Sequence, residues 1–370
     1  MSYQRHMRGY EEPRTLYQIR SIAAWEQGAY FPPVMVEISP NHACNQKCRF
    51  CYTHGRGDVK DVLRPDILVD AFRQVADAGV KSVLVQGSGE PLINKSVPDG
   101  IIMGAEKGLS IGMVTNGVLL KEPVQEKILP HMHFIRFSVL DHDPKRYAYL
   151  HDCPESHWHT LVKNIEGVVE RRAKQDFQYG LWSTIYLDSG NFRDAYNVVK
   201  FYKDLGLDYV MVAEATYTEF SPSGRGTYAS DELPAEEVQA IKDKVLSLND
   251  PDFRVKAEFP INSDHYNVGV DQSSWQNEHC HGTQFYTIIS ADGEVYPCWR
   301  FWGKKQYSYG SLYRESFEEI WKGDRRKEVE AYLNSTPPCG DECKVCNLTK
   351  INNTLHAMKQ ADSKWKDFLM

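Results

Sequence analysis

The sequence predicts an α/β protein in which six strand–helix units are followed by a small cysteine-rich region. Short, nearly continuous apolar runs alternate with stretches of helical spacing between residues 34 and 215. Such runs read as strands buried on both faces, as in a parallel sheet covered by helices. The rhythm breaks after residue 216, and eight of the nine cysteines fall in two groups, at 44–51 and 280–346. Right-handed crossovers would wind the six units into an open or closed barrel, short of the eight units that complete one.

Residues 34–40 (VMVEISP) read as the first strand, ending just before the first cysteines. A helix is predicted over 66–79, with apolar positions at helical spacing and a stop at Gly79. Strand 82–86 runs into the turn GSGEP, and a helix near 98–108 leads to strand 110–115 and the turn Asn116–Gly117. A helix near 121–129 precedes strand 134–140, and a long helix over 156–175 precedes strand 179–187. The helix 192–205 leads to strand 208–215, and the polar stretch 216–234 reads as a linker. A helix at 235–248 and a strand at 253–259 follow, and the tail beyond 350 reads as a helix. The expected division is an N-terminal extension (1–33), a barrel (34–232), a connecting helix and strand (233–275), a cysteine-rich domain (276–350) and a C-terminal helix (351–370).

Composition narrows the function. The chain has 370 residues, 43 basic and 50 acidic, for a net charge of −7. That balance argues against a protein that mainly grips nucleic-acid phosphates. The polar N-terminus lacks a signal-peptide core, and no apolar run reaches the ~18 residues of a membrane helix. A cytoplasmic protein without membrane partners is expected. Structural disulfides are disfavoured there, so clustered cysteines read as metal or iron–sulfur ligands.

Cys44, Cys48 and Cys51 form C-x3-C-x2-C in the loop after the first strand. Carboxyl ends of parallel strands are where such folds place chemistry. A zinc ion would need a fourth ligand such as His42 or His54, whereas a [4Fe–4S] cluster on three cysteines leaves one iron open. This motif, with Phe50 before its last cysteine, resembles the radical S-adenosylmethionine (radical SAM) superfamily. The resemblance covers about residues 34–350, and the fold it implies is a partial (β/α)6 TIM-type barrel. It implies that the three cysteines bind a [4Fe–4S] cluster whose open iron chelates the amino and carboxylate groups of SAM. Reduction then cleaves the sulfonium and yields a 5′-deoxyadenosyl radical that takes a substrate hydrogen. A reducing partner such as flavodoxin or ferredoxin is expected.

Gly87, Ser88, Gly89 and Glu90 resemble the family's GGEP turn, with Ser88 in place of a glycine. The resemblance implies that this turn receives the SAM ammonium, with Glu90 as the acidic partner. Polar residues at the next strand ends, Thr115, Asn116 and Ser138, would contact SAM, as would Ser183 and Thr184. Phe50 would lie beside the adenine.

Cys280-x12-Gly293-x4-Cys298 frames the segment ISADGEVYPC, a strong hairpin signal around Asp292–Gly293. Zinc on four or five thiolates is the alternative here as well. The spacing resembles the opening of the SPASM and twitch extensions of radical SAM enzymes. Only Cys339, Cys343 and Cys346 follow, as in a one-cluster twitch or a reduced SPASM. The implied ligands of an auxiliary [4Fe–4S] cluster are Cys280, Cys298, Cys343 and Cys346, with Cys339 as the spare. Cys153 reads as an ordinary cysteine.

The expected activity is a dehydrogenase-type oxidation of a small polar molecule, such as a sugar or aminocyclitol, by two electrons. The auxiliary cluster would accept the second electron. Trp299, Arg300 and Trp302, beside Cys298, would suit a polar ring. Glu214, Asp141 and Tyr217 are the candidate bases. The alternatives are a maturase acting on a ribosomally made peptide, and a redox-neutral epimerase, decarboxylase or lyase on a sugar nucleotide. The 33 residues before the first strand are short for a fused leader-recognition domain, which a separate protein can supply.

Overall fold

The computed structural model describes residues 17–51, 53, 58, 60–175, 177–215, 221–223, 228–259, 280–335 and 348–360. The six predicted strands form in place: β1 (Met35–Ile38), β2 (Ser82–Val85), β3 (Ser110–Thr115), β4 (Phe134–Ser138), β5 (Gly180–Leu187) and β6 (Tyr209–Glu214). They pair in parallel in chain order. The sheet then grows at both edges. β7 (Arg254–Glu258) adds in parallel to β6, and β8 (Tyr286–Ile289) adds in parallel to β1. β9 (Glu294–Tyr296) and β10 (Gly310–Ser311) complete an antiparallel ribbon beyond β8.

The result is one ten-stranded sheet in the order β10-β9-β8-β1-β2-β3-β4-β5-β6-β7. Two expectations about the parts change. The strand predicted as a connection belongs to the barrel sheet, and so does the first arm of the predicted hairpin. An edge strand leaves a row of N–H and C=O groups unpaired, and any neighbouring strand of suitable direction can complete the ladder. The hairpin turn is as predicted, with Gly293 at φ +79°, where glycine carries no side-chain penalty.

Helices cover one face of the sheet. Phe137 marks that face: a Cβ on Gly117 would meet both Phe137 and Leu161 of the helix Ser156–Gln175. Met113, Ile135, Phe137, Ile185, Val210 and Val212 are fully buried in this layer. Burying each such side chain contributes about 1.5–3 kcal/mol. The opposite row holds Arg136, Ser138, Trp182, Thr184 and Tyr186, and these residues line the barrel interior. Phe134 and Trp182 stack there at 4.2 Å.

A helix at Pro144–His151 was not legible in the apolar pattern. Asp143 caps it by accepting from the Arg146 N–H at 2.8 Å, and Pro144 opens its first turn. At the other end of the chain, the helix Ile19–Glu26 buries Ile22 and Trp25 against Phe285 and against Leu355 of the helix Thr349–Gln360. The described part of the N-terminal extension thus packs on Phe285 of the cysteine-rich region and on the C-terminal helix. No helix among the described residues is long and apolar enough to cross a membrane.

Candidate active site at the cysteine loop

The cysteine loop is fastened on two sides. Towards the barrel, the Glu90 N–H donates to Ala43 O at 2.9 Å, and Asn41 Nδ2 donates to Glu90 O at 3.0 Å. The approach is so close that a Cβ on Gly89 would stand 2.1 Å from Ala43 O, and one on Gly87 2.1 Å from Ser39 Oγ. Those two positions require glycine, and the one between them does not, which is why Ser88 is tolerated. On the other side, the Lys47 and Arg49 N–H groups donate to His151 O at 3.1 Å and Leu150 O at 3.0 Å. The last carbonyls of the helix Pro144–His151 therefore find their donors in the cysteine loop.

Cys44 is exposed, and Cys48 and Cys51 are half-buried. Burial first, and then the neighbouring thiols Cys44 and Cys51, push the Cys48 thiol well above its ordinary range. The three thiols are close enough for one thiolate to disfavour the next, so together they need a positive partner. No three His, Cys, Asp or Glu side chains among the described residues are grouped as they would be on one metal ion. The His42 ring is engaged elsewhere, with Nδ1 3.2 Å from Asp58 O and Nε2 3.4 Å from Ser290 Oγ. His54 lies outside the described residues.

Two buried hydroxyls beside the loop, Ser39 Oγ and Ser88 Oγ, have no hydrogen-bond partner among the described residues. Ser88 connects to the thiols, since Thr53 Oγ1 donates to Ser88 O at 3.4 Å and lies 3.2 Å from Cys51 Sγ. Unpartnered buried polar groups next to three thiols fit a polar ligand bound over a cluster. Glu90 is buried; its carboxylate accepts from Thr115 Oγ1 (2.7 Å), the Asn116 N–H (2.8 Å) and the Leu92 N–H (3.3 Å). It bolts the GSGEP turn to the end of β3, and one of its roughly four lone-pair directions stays open. Asn116 Nδ2 reaches Asn45 Oδ1 at 2.7 Å, tying β3 to the cysteine loop as well.

The remaining site residues divide by the pleat. Ser138 and Thr184 pair across β4 and β5 on the interior row. Thr115 and Ser183 flank Phe137 on the helix-facing row instead. Glu214 follows Val210 and Val212 on that same row, fully buried, and accepts from Ser230 N (2.8 Å) and Ser230 Oγ (2.7 Å). It ties the segment Ala229–Glu232 to the end of β6 on the helix-facing row. Asp141 accepts from the Asp143 N–H at 3.0 Å, its Oδ2 is buried without a partner among the described residues, and burial raises its pKa. Tyr217 lies outside the described residues. Phe50 packs between Tyr186 (5.5 Å between ring centres) and His151 (6.0 Å).

In the cysteine-rich region, Cys280 and Cys298 are both buried. The Cys280 N–H donates to Asn334 Oδ1 at 2.9 Å, and Asn352 Nδ2 donates to Cys280 Sγ at 3.7 Å. Cys339, Cys343 and Cys346 lie outside the described residues. Trp302 is buried, donates Nε1–H to Ser290 Oγ at 2.5 Å, and meets the His42 ring edge-on at 5.1 Å. It bolts the hairpin to the cysteine loop. Arg300 lies over the Trp299 ring at 4.2 Å.

Sequence reasoning missed two groups. The first is His151 with Tyr147 beneath it, one helical turn apart; the N-terminal signal Asp143–Pro144 would have found their helix. The second is a polar floor of the barrel. Tyr286 OH donates to Glu37 at 2.5 Å, and Arg136 Nη2 donates to Gln86 Oε1 at 3.2 Å. Burial raises the pKa of Glu37.

A three-thiol loop at the carboxyl end of β1, closed by a glycine-spaced turn after β2, defines a barrel that holds an iron–sulfur cluster with room for a ligand. The chain belongs to the radical SAM superfamily, whose family model matches residues 38–175. An iron–sulfur cluster-binding SPASM domain matches residues 280–347. The chain is therefore a radical SAM protein that binds SAM, a SAM-binding [4Fe–4S] cluster and an auxiliary iron–sulfur cluster. It is 22% identical to the cysteine-type anaerobic sulfatase-maturating enzyme of Clostridium perfringens over 86% of this chain and 88% of that one. It is also 22% identical to the AdoMet-dependent heme synthase of Methanosarcina barkeri, over 86% and 90% respectively. The match to a probable GTP 3′,8-cyclase of Archaeoglobus fulgidus, at 27% identity, spans 31% of this chain and 38% of that protein. Among solved structures, Streptococcus suis SuiB bound to precursor peptide SuiA has the same fold, with a TM-score of 0.64, 19% identity and coverage of 94% and 78%.

Proposed function

We propose that this chain is a radical SAM maturase that oxidises a residue of a ribosomally made polypeptide. The observation that carries the reading is the reach of the sulfatase-maturase match. It takes in both cysteine regions, 86% of this chain and 88% of the relative. The heme-synthase match reaches as far and supplies the competing outcome of the test. The small polar ring substrate expected from Trp299, Arg300 and Trp302 finds no support in the comparisons, and Trp302 is taken up by structure.

When bound, the cluster and SAM supply a carbon radical that abstracts a substrate hydrogen. The chain's own residues hold and orient these groups. Cys44, Cys48 and Cys51 would hold the SAM-binding cluster. The turn Gly87–Glu90 would take the SAM ammonium on its carbonyls and on the open lone pair of Glu90. Ser138 and Thr184 present hydroxyls from the interior row, and Phe50 offers a ring. Cys280 and Cys298, with cysteines from 339–346, would hold the auxiliary cluster that accepts the second electron. Asp141 is the base candidate, because its Oδ2 is buried without a partner among the described residues and burial raises its pKa. A one-electron donor of the flavodoxin or ferredoxin class would start each turnover.

The test uses reconstituted holoenzyme, SAM and reductant with a perdeuterated cell extract separated into peptide, porphyrin and small-metabolite fractions. Deuterium should pass into 5′-deoxyadenosine from the peptide fraction, with a peptide that loses two hydrogens. Transfer only from the porphyrin or small-metabolite fraction would overturn the reading.

A further inference from the structure

The three thiols of the cysteine loop are not equivalent. Cys51 Sγ has the Thr53 hydroxyl at 3.2 Å, and Cys44 Sγ has Asn45 Oδ1, an acceptor, at 4.0 Å. Cys48 Sγ alone among them has a ring nitrogen, His151 Nδ1, at 3.2 Å. The contact spans 103 residues of sequence and closes the only route by which the helix Pro144–His151 offers the loop a side chain donor among the described contacts.

The imidazole is held on every side. His151 is fully buried, Tyr147 stacks on it at 4.1 Å and 28°, and Phe50 meets it edge-on at 6.0 Å and 83°. Tyr147 is fixed in turn, because Gln46 Nε2 donates to its hydroxyl at 3.0 Å. The backbone bonds from Lys47 and Arg49 to the carbonyls of residues 151 and 150 set the distance between ring and loop. His151 Nε2 is buried with no hydrogen-bond partner among the described residues. Ordinarily a second partner fixes which ring nitrogen carries the proton. Among the described residues only the sulfur can. A cluster-bound cysteine is a thiolate and offers no proton, so a ring nitrogen at 3.2 Å must be the donor. The opposite tautomer would set a nitrogen lone pair against the thiolate.

We propose that the His151 imidazole donates its Nδ1–H to the Cys48 sulfur and raises the reduction potential of the cluster that Cys48 holds. The sign follows from charge. Reduction adds an electron that the sulfurs share, and an N–H dipole aimed at sulfur stabilises the more negative state. The ring is fully buried, so its N–H acts on the sulfur in a site that excludes water. His151 is a tuning residue: it acts through Cys48 and needs no contact with SAM or substrate. The inference rests on Cys48 as a cluster ligand and is independent of which substrate the enzyme takes.

The experiment compares reconstituted wild-type enzyme, His151→Phe and His151→Asn, each with its iron content measured first. Phenylalanine keeps the stacking on Tyr147 and removes the donor. Asparagine sets an amide N–H where Nδ1 stands. An EPR-monitored redox titration should show the SAM-binding cluster of His151→Phe with about a tenfold lower ratio of reduced to oxidised form at a fixed ambient potential. That corresponds to a midpoint about 59 mV lower for a one-electron couple. His151→Asn should recover most of the difference. An unchanged midpoint in His151→Phe with full iron content would overturn the proposal. Should that variant fail to load iron, pulsed EPR of the reduced wild-type enzyme carrying 15N-histidine decides. A ring-nitrogen coupling to the cluster, lost in His151→Asn, supports the bond, and its absence in wild type overturns it.

Discussion

The two cysteine regions solve opposite problems with the same atoms. The loop at 44–51 sits at the open end of the barrel, with Cys44 exposed and Cys48 and Cys51 half-buried. Cys280 and Cys298 are both buried, and Asn352 of the helix Thr349–Gln360 donates to Cys280 Sγ. Three thiols at an opening leave a coordination position that a ligand can reach. Thiols closed in by protein suit a cluster that only stores or passes an electron. The regions are joined physically through His42, Ser290 and Trp302, and their strands β1 and β8 are neighbours in one sheet.

The largest effects should come from separating the two. Replacing Cys44, Cys48 and Cys51 together by alanine should remove about half of the roughly eight irons expected for two four-iron clusters. It should also abolish formation of 5′-deoxyadenosine. Cys280→Ala with Cys298→Ala should remove the other half and leave SAM cleavage largely intact, while the oxidised product disappears. Iron assays with chromatography of 5′-deoxyadenosine check both. Loss of SAM cleavage in the second variant would break the division of labour.

An intermediate effect is expected at the turn that braces the open site. Gly89→Ala places a Cβ 2.1 Å from the backbone oxygen of Ala43, so the cysteine loop must shift. About 1–3 kcal/mol of stability should be lost, with weaker SAM binding. Ser88→Ala, at the position where no glycine is needed, should stay within about 0.5 kcal/mol in stability. Thermal unfolding and SAM titration of the two variants measure the contrast.

The smallest effect lies on the closed side. Ser316 and Glu319 form a capping box on the helix Phe317–Lys322, and the Phe317 N–H donates to Gln74 Oε1 of the helix Pro65–Asp77 at 2.6 Å. Ser316→Ala should cost about 1 kcal/mol in denaturant unfolding and leave both clusters' spectra unchanged.

The order of β1 to β6, the hairpin at Asp292–Gly293, and the spacings around Cys44 and Cys280 follow from the sequence alone. They are local: an apolar run, a turn dipeptide or a cysteine spacing needs no distant partner to be read. Placement across the sheet is different. Thr115 and Glu214 end β3 and β6, and Ser183 lies within β5, yet all three belong to the helix-facing row, while Ser138 and Thr184 face the interior. The period of two is visible in a strand; its phase is set by which neighbours it pairs with, because a shift of one residue turns every side chain over. Likewise, β7 and β8 join the barrel because open edges at β6 and β1 accept them. His151 meets Cys48 because a helix end short of donors found them in the cysteine loop. Residues 103 apart in the chain were brought to 3.2 Å by backbone hydrogen bonding that no local pattern encodes.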